Sequence, residues 1–168
     1  MSKTFVKFAE SLDMSEIPKI ITSDILDNNT DDFWEDLPKE MQDLDPKNVL
    51  VITTKMEDNS PEQAQLDKIL AACQLEKANY FLIALEEDKQ MAWHKLKAHF
   101  LPETVLLFGI LPQKLGISSL FRINSINNFD GCTFIPALSI QKMEEQLEAK
   151  KQLWTNALKP HFIDTKTT

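Results

Sequence analysis

Three short runs decide the fold: VLVITT at residues 49–54, YFLIAL at 80–85 and TVLLF at 104–108. Each is continuously apolar rather than alternating, the pattern of strands in a parallel sheet covered on both faces. Between the first and second lies SPEQAQLDKILAAC, residues 60–73. There Ser60 caps, Pro61 suits the first helical position, Gln63 completes a capping box, and Leu66, Ile69, Leu70 and Cys73 share one face of a helix. Between the second and third, DKQMAWHKLKAHFL at 88–101 predicts a shorter helix, with Pro102 just beyond its end. The order β-α-β-α-β with right-handed crossovers makes the middle of the sheet read second strand, first strand, third strand.

After Gly109 the pattern changes. Phe121–Phe129 and Cys132–Ile135 flank Asp130-Gly131, a pair that accepts the positive φ values of a tight hairpin, and at least one arm is expected to extend the sheet. The stretch MEEQLEAKKQLWTNAL, residues 143–158, predicts a long amphipathic helix that packs through Met143, Leu147, Trp154 and Leu158 and is ended by Pro160. The expected architecture is a three-layer α/β sandwich with a mainly parallel central sheet over residues 49–162. A helical and acidic extension, residues 1–48, precedes it, and a tail, 163–168, follows.

At 168 residues and 43% hydrophobic content the chain can bury the core of one domain. Its 26 acids against 18 Lys and Arg give a formal charge of −8, and Arg122 is the sole arginine. That field repels phosphate, so direct nucleic-acid binding is not expected. Cys73 and Cys132 lie far apart in apolar stretches and read as small hydrophobes in a reducing cytoplasm. The opening MSKTFVKFAESLD lacks the apolar run of a signal peptide, and no stretch has the length to span a membrane.

In such a sheet the ligand crevice lies beyond the carboxyl ends of the strands, here TTKMEDNS (53–60), EED (86–88) and GILPQKLG (109–116). The first contains no glycine, so neither a dinucleotide fingerprint nor a P-loop is possible, and no cofactor is expected. Glu57 and Asp58 could act as a base or a magnesium site, although an acidic pair in a loop is more often merely solvated. His94 and His99, five residues apart, diverge on a helix and do not form a zinc pair. His161 reads as a solvated tail histidine. Ser139 and Cys132 lack the surroundings of an activated nucleophile. Trp93 and Trp154 read as core.

Those readings favour a protein that grips other proteins. The acidic stretch 24–45 carries Phe33, Trp34 and Leu37 within DDFWEDL, the composition either of a docking anchor or of a segment that folds back onto its own domain, and Phe5, Phe8 and Leu12 form a second stripe open to the same two readings.

The order of elements, together with FDGCTFIPALSIQKMEEQLEAKKQLWTNALKPHF (129–162), resembles the uracil-DNA glycosylase-like fold, and within it the psi subunits of bacterial clamp loaders. The shared features are a hydrophobic strand, the small-residue turn Pro136-Ala137-Leu138-Ser139, and a helix bearing Lys150 or Lys151 with Leu153-Trp154. The glycosylases of this fold use an acidic, water-positioning loop after the first strand and a histidine before the last helix. TTKMEDNS and PALS depart from both. The resemblance therefore implies a non-catalytic accessory subunit whose N-terminal part docks on the clamp loader and whose α/β body meets another subunit. Two rivals stand beside it. One is a divergent hydrolase of the same fold, with a polar pocket of Glu57, Asp58, Asn59 and Ser139; the other is an acidic adaptor unrelated to replication.

Overall fold

A computed structural model describes residues 37, 39–42 and 45–167, which fall in one compact unit. The elements in order are helix α1 (Lys39–Gln42), β1 (Val49–Thr54), α2 (Pro61–Ala72), β2 (Tyr80–Leu85), α3 (Trp93–Phe100) and β3 (Thr104–Phe108). A 3-10 turn (Pro112–Leu115) precedes β4 (Asn127–Phe129) and β5 (Cys132–Ala137). The chain closes with α4 (Ile140–Glu145), α5 (Leu147–Leu153), a π-helical segment (Trp154–Ile163) and a second 3-10 turn (Asp164–Thr167).

The five strands are ordered β2-β1-β3-β5-β4, and only the β4–β5 pair is antiparallel. The expected middle order and the three strand boundaries hold. Both hairpin arms join the sheet, but the first contributes only Asn127–Phe129 rather than the whole run from Phe121. The hairpin turns on Asp130 (φ 52°) and Gly131 (φ 75°), the left-handed pair that matches the twist of the flanking strands. Asp130 is also clamped from α3: Trp93 Nε1 donates to its Oδ2 at 2.9 Å and Lys97 Nζ lies 2.9 Å from its Oδ1. The Lys97 hydrogen bond, then that of Trp93, hold this carboxyl below its ordinary pKa.

Because successive strand residues point to opposite faces, the central strands feed two cores. Val49, Val51, Leu106, Phe108 and Ile135 pack under α2 and the C-terminal helices, against Leu66, Leu70, Met143, Leu153 and Leu158. Leu50, Ile52, Phe81, Val105, Leu107 and Phe134 pack against Trp93, Leu96 and Phe100 of α3. Helices on both faces of the sheet give three layers.

Two expectations are corrected. β2 is not covered on both faces: Phe81, Ile83 and Leu85 are buried, whereas Leu82 and Ala84 are exposed. It is an edge strand, and the helices on the uncovered side gather over β1, β3 and β5, whose residues form the core there. The long C-terminal helix is interrupted at Gln146 (φ −123°, ψ 78°), which turns Leu147 out to 69% exposure and re-aims Leu153, Ala157, Leu158 and Phe162 onto the sheet. Nor does Pro160 end it, since the π segment runs through that residue to Ile163. An α-helical Pro160 ring would strike the carbonyl of Asn156, four residues back, and the wider π winding moves that carbonyl aside.

Candidate functional site

The chain leaves β1 toward β2 on one side and returns past it to β3 on the other, so a switch point lies between β1 and β3. Beyond the carboxyl ends of the strands, where such folds form their crevice, is a cleft of about 1030 Å³. Its floor is set by a close approach. Gly109, leaving β3 at φ +73°, donates its N–H to the Ala137 carbonyl at 3.0 Å, and a Cβ there would lie 2.7 Å from Ser139 Cβ. Only glycine accepts both that φ and that neighbour.

Several polar groups in and beside the cleft are held by neighbouring residues. Lys55 and Glu86, at the ends of β1 and β2, form an ion pair of 2.6 Å, and the hydrogen bond to Glu86, then its charge, raise the Lys55 pKa. Lys114 Nζ donates to the Glu87 carbonyl at 2.5 Å, and Met91 N–H to the Lys114 carbonyl at 3.1 Å, tying the 3-10 turn to the loop after β2. Ser139 is the N-cap of α4, its Oγ accepting from Lys142 N–H at 3.4 Å.

The rim is apolar. Leu111 (62% exposed), Leu120 (94%) and Ile123 (51%) all border the cleft. The loop carrying Leu120 and Ile123 is shaped by Asn127, which accepts from Arg122 N–H at 2.8 Å and donates to the carbonyls of Arg122 (3.0 Å) and Ser125 (2.9 Å). That loop carries no helix or strand periodicity, so the sequence gives no sign that Leu120 stands out.

Of the pocket Glu57, Asp58, Asn59 and Ser139, only Ser139 borders the cleft. Glu57, Asp58 and Asn59 are exposed in the turn leading into α2. Asn59 adopts φ 58° and its N–H is taken by Gln63 Oε1 at 2.7 Å, while Ser60 Oγ accepts from Gln63 N–H at 3.2 Å. The turn is a helix cap, and the four residues are not brought together as one site. Phe5, Phe8, Leu12, Phe33 and Trp34 lie outside the described residues. Leu37 is half-buried and packs against the α3-side core.

His161 is not a solvated tail residue. It lies half-buried in the π segment, its Nε2 2.8 Å from Oγ1 of the buried Thr104, and burial lowers its pKa. It borders a smaller hollow of about 460 Å³ at the amino ends of the strands, with Lys47, Glu103 and Lys166. Both cysteines are buried; desolvation raises Cys132 and pushes Cys73 up to about 12. Among the described residues no group of three or more His, Cys, Asp or Glu is placed to hold a metal ion. Among them, too, no helix is long and apolar enough to cross a membrane. Comparison with known proteins adds no relative: no family model matches the chain, and no curated protein matches it.

Proposed function

We propose that this protein is a non-catalytic accessory subunit that acts through protein–protein contacts, and that the psi-like character of its C-terminal stretch makes the assembly a replicative clamp loader in the cytoplasm. The observation that carries the reading is the cleft rim. Leu111, Leu120 and Ile123 present large apolar side chains to water at the place where this class of sheet ordinarily binds its ligand. Apolar anchors around a groove are the composition of an interface centre. Of the charged and polar groups between them, Lys55 and Glu86 are paired with each other and Ser139 caps a helix. The body therefore meets its partner subunit through this rim, and the N-terminal anchors Phe5, Phe8, Leu12, Phe33 and Trp34 serve the clamp loader.

The test is reconstitution with purified clamp-loader and accessory subunits of the same organism. Co-elution in size-exclusion chromatography is expected, together with loss of the body's partner in a Leu120→Asp, Ile123→Asp variant that keeps the wild-type unfolding temperature. Absence of co-elution at micromolar concentrations overturns the clamp-loader assignment. Release of uracil from single-stranded DNA would instead favour the divergent hydrolase.

A further inference from the structure

At the amino ends of the strands, one side chain of the π segment bonds to the sheet. His161 Nε2 lies 2.8 Å from Oγ1 of Thr104, the buried first residue of β3. A hydroxyl is donor and acceptor at once, and its hydrogen needs a partner where water is shut out. Among the described residues Nε2 is the acceptor placed to take it. The ring is therefore neutral, with its own proton on Nδ1. A further proton at Nε2 makes donors of both groups: Thr104 Oγ1 still accepts from the imidazolium, but its hydrogen is left buried without an acceptor. The contact thus selects the uncharged ring by geometry, and desolvation acts in the same direction, lowering the His161 pKa. The charged surroundings do not reverse this. The hollow beside the ring is bordered by Lys47 from the loop before β1, Glu103 ahead of β3 and Lys166 from the last 3-10 turn, while the loop after α2 contributes only the uncharged Gln74 and Asn79. Asp45 and Asp164 are exposed and lie outside that lining. Two ammonium groups stand against one carboxylate.

The residues that follow are tied to this ring. The Thr165 hydroxyl donates to the His161 carbonyl, so the turn Asp164–Thr167 follows His161. Phe162 packs in one core with Cys73, and Lys166 lies near enough for its charge to act on that thiol. Cys73 itself is fully buried. Pro160, at the root, has no N–H to give to the helical ladder. We infer that residues 160–167 form a pH-operated latch, in which proton uptake at His161 Nε2 undoes the bond to Thr104 and the segment swings off the hollow, uncovering Cys73. This goes beyond the clamp-loader reading and does not depend on it. The latch is closed above about pH 6.5, where the histidine of the open form is uncharged too, and the open fraction grows as pH falls from there toward the lowered folded value. Opening is local, so it requires less free energy than unfolding the chain.

Labelling of the full chain with a dipyridyl disulfide, which reacts with thiols in acid as well as at neutrality, tests the latch; peptide mass spectrometry distinguishes the two cysteines. Each rate is divided by that of the unfolded chain at the same pH. Between about pH 7.5 and about pH 5, Cys73 is expected to lose protection severalfold, and to be labelled faster than Cys132, which is buried in the α3-side core. Urea below the unfolding transition separates the routes, because a local opening exposes little surface and leaves the Cys73 rate flat, whereas the Cys132 rate climbs. His161→Gln, whose amide stays neutral, abolishes the pH dependence at Cys73. Thr104→Val, which removes the hydroxyl at nearly the same shape, weakens that dependence and speeds Cys73 labelling at neutral pH. Protection of Cys73 that does not change with pH overturns the inference. So does a Cys73 rate that rises with urea in step with that of Cys132, or a pH dependence that persists in His161→Gln.

Discussion

His161 shows how a single side chain can be misplaced by position in the chain and corrected by its neighbours. Past Pro160 and near the carboxyl terminus it reads as solvated, yet the π segment carries it in to Thr104. Burial disfavours its charged form, so its pKa in the fold is below the ordinary 6.5. The unfolded chain then binds the proton more readily. Stability is complete above about pH 6.5 and declines as pH falls from there to the lowered folded value. Denaturation midpoints measured across that range are expected to fall for the wild type and to flatten in His161→Gln. Equal slopes in the two proteins would deny His161 this role.

At the scale of elements, the tightest dependence lies where β3 and β5 deliver their ends to the cleft. Gly109→Ala forces a side chain into the left-handed region and brings its Cβ to 2.7 Å from Ser139 Cβ. The expected cost is about 2–4 kcal/mol from backbone strain and overpacking together. Urea unfolding measures it; a cost under about 0.5 kcal/mol, the usual range of surface substitutions, would mean that the two exits can part freely. The elements most legible in the sequence were those that carry their own boundaries. Val49–Thr54, Tyr80–Leu85 and Thr104–Phe108 are uninterrupted apolar runs, and Ser60-Pro61 fixes the start of α2. The exposure of Leu82 was not legible, because an edge position is a property of strand order rather than of the strand. The break at Gln146 was hidden too: Met143, Leu147, Trp154 and Leu158 keep helical spacing across it, and only the packing shows that Leu147 has left the stripe.

For the whole molecule, charge is the simplest constraint. Residues 1–48 hold 12 of the 26 acids and 5 of the 18 bases, so nearly all the excess negative charge precedes β1. With no surplus of cations left in the remainder, phosphate attraction has little to draw on. Mobility-shift titration with single-stranded DNA at low salt is expected to show no complex at micromolar protein, and a tight, salt-sensitive shift would contradict this. The location of the candidate site was legible, since its walls begin with the loops after β1, β2 and β3. Its character was not, because the pairing of Lys55 with Glu86 and the gathering of Leu111, Leu120 and Ile123 depend on contacts between separate segments of the chain.

One layer of the sandwich is carried largely by residues 140–163, the last helices in the chain. Leu106, Phe108 and Ile135 thus stay bare on their outer face until residues 140–163 have been made. A product stalled or cleaved before Ile140 would display that greasy strip to water, a ready substrate for chaperones and proteases.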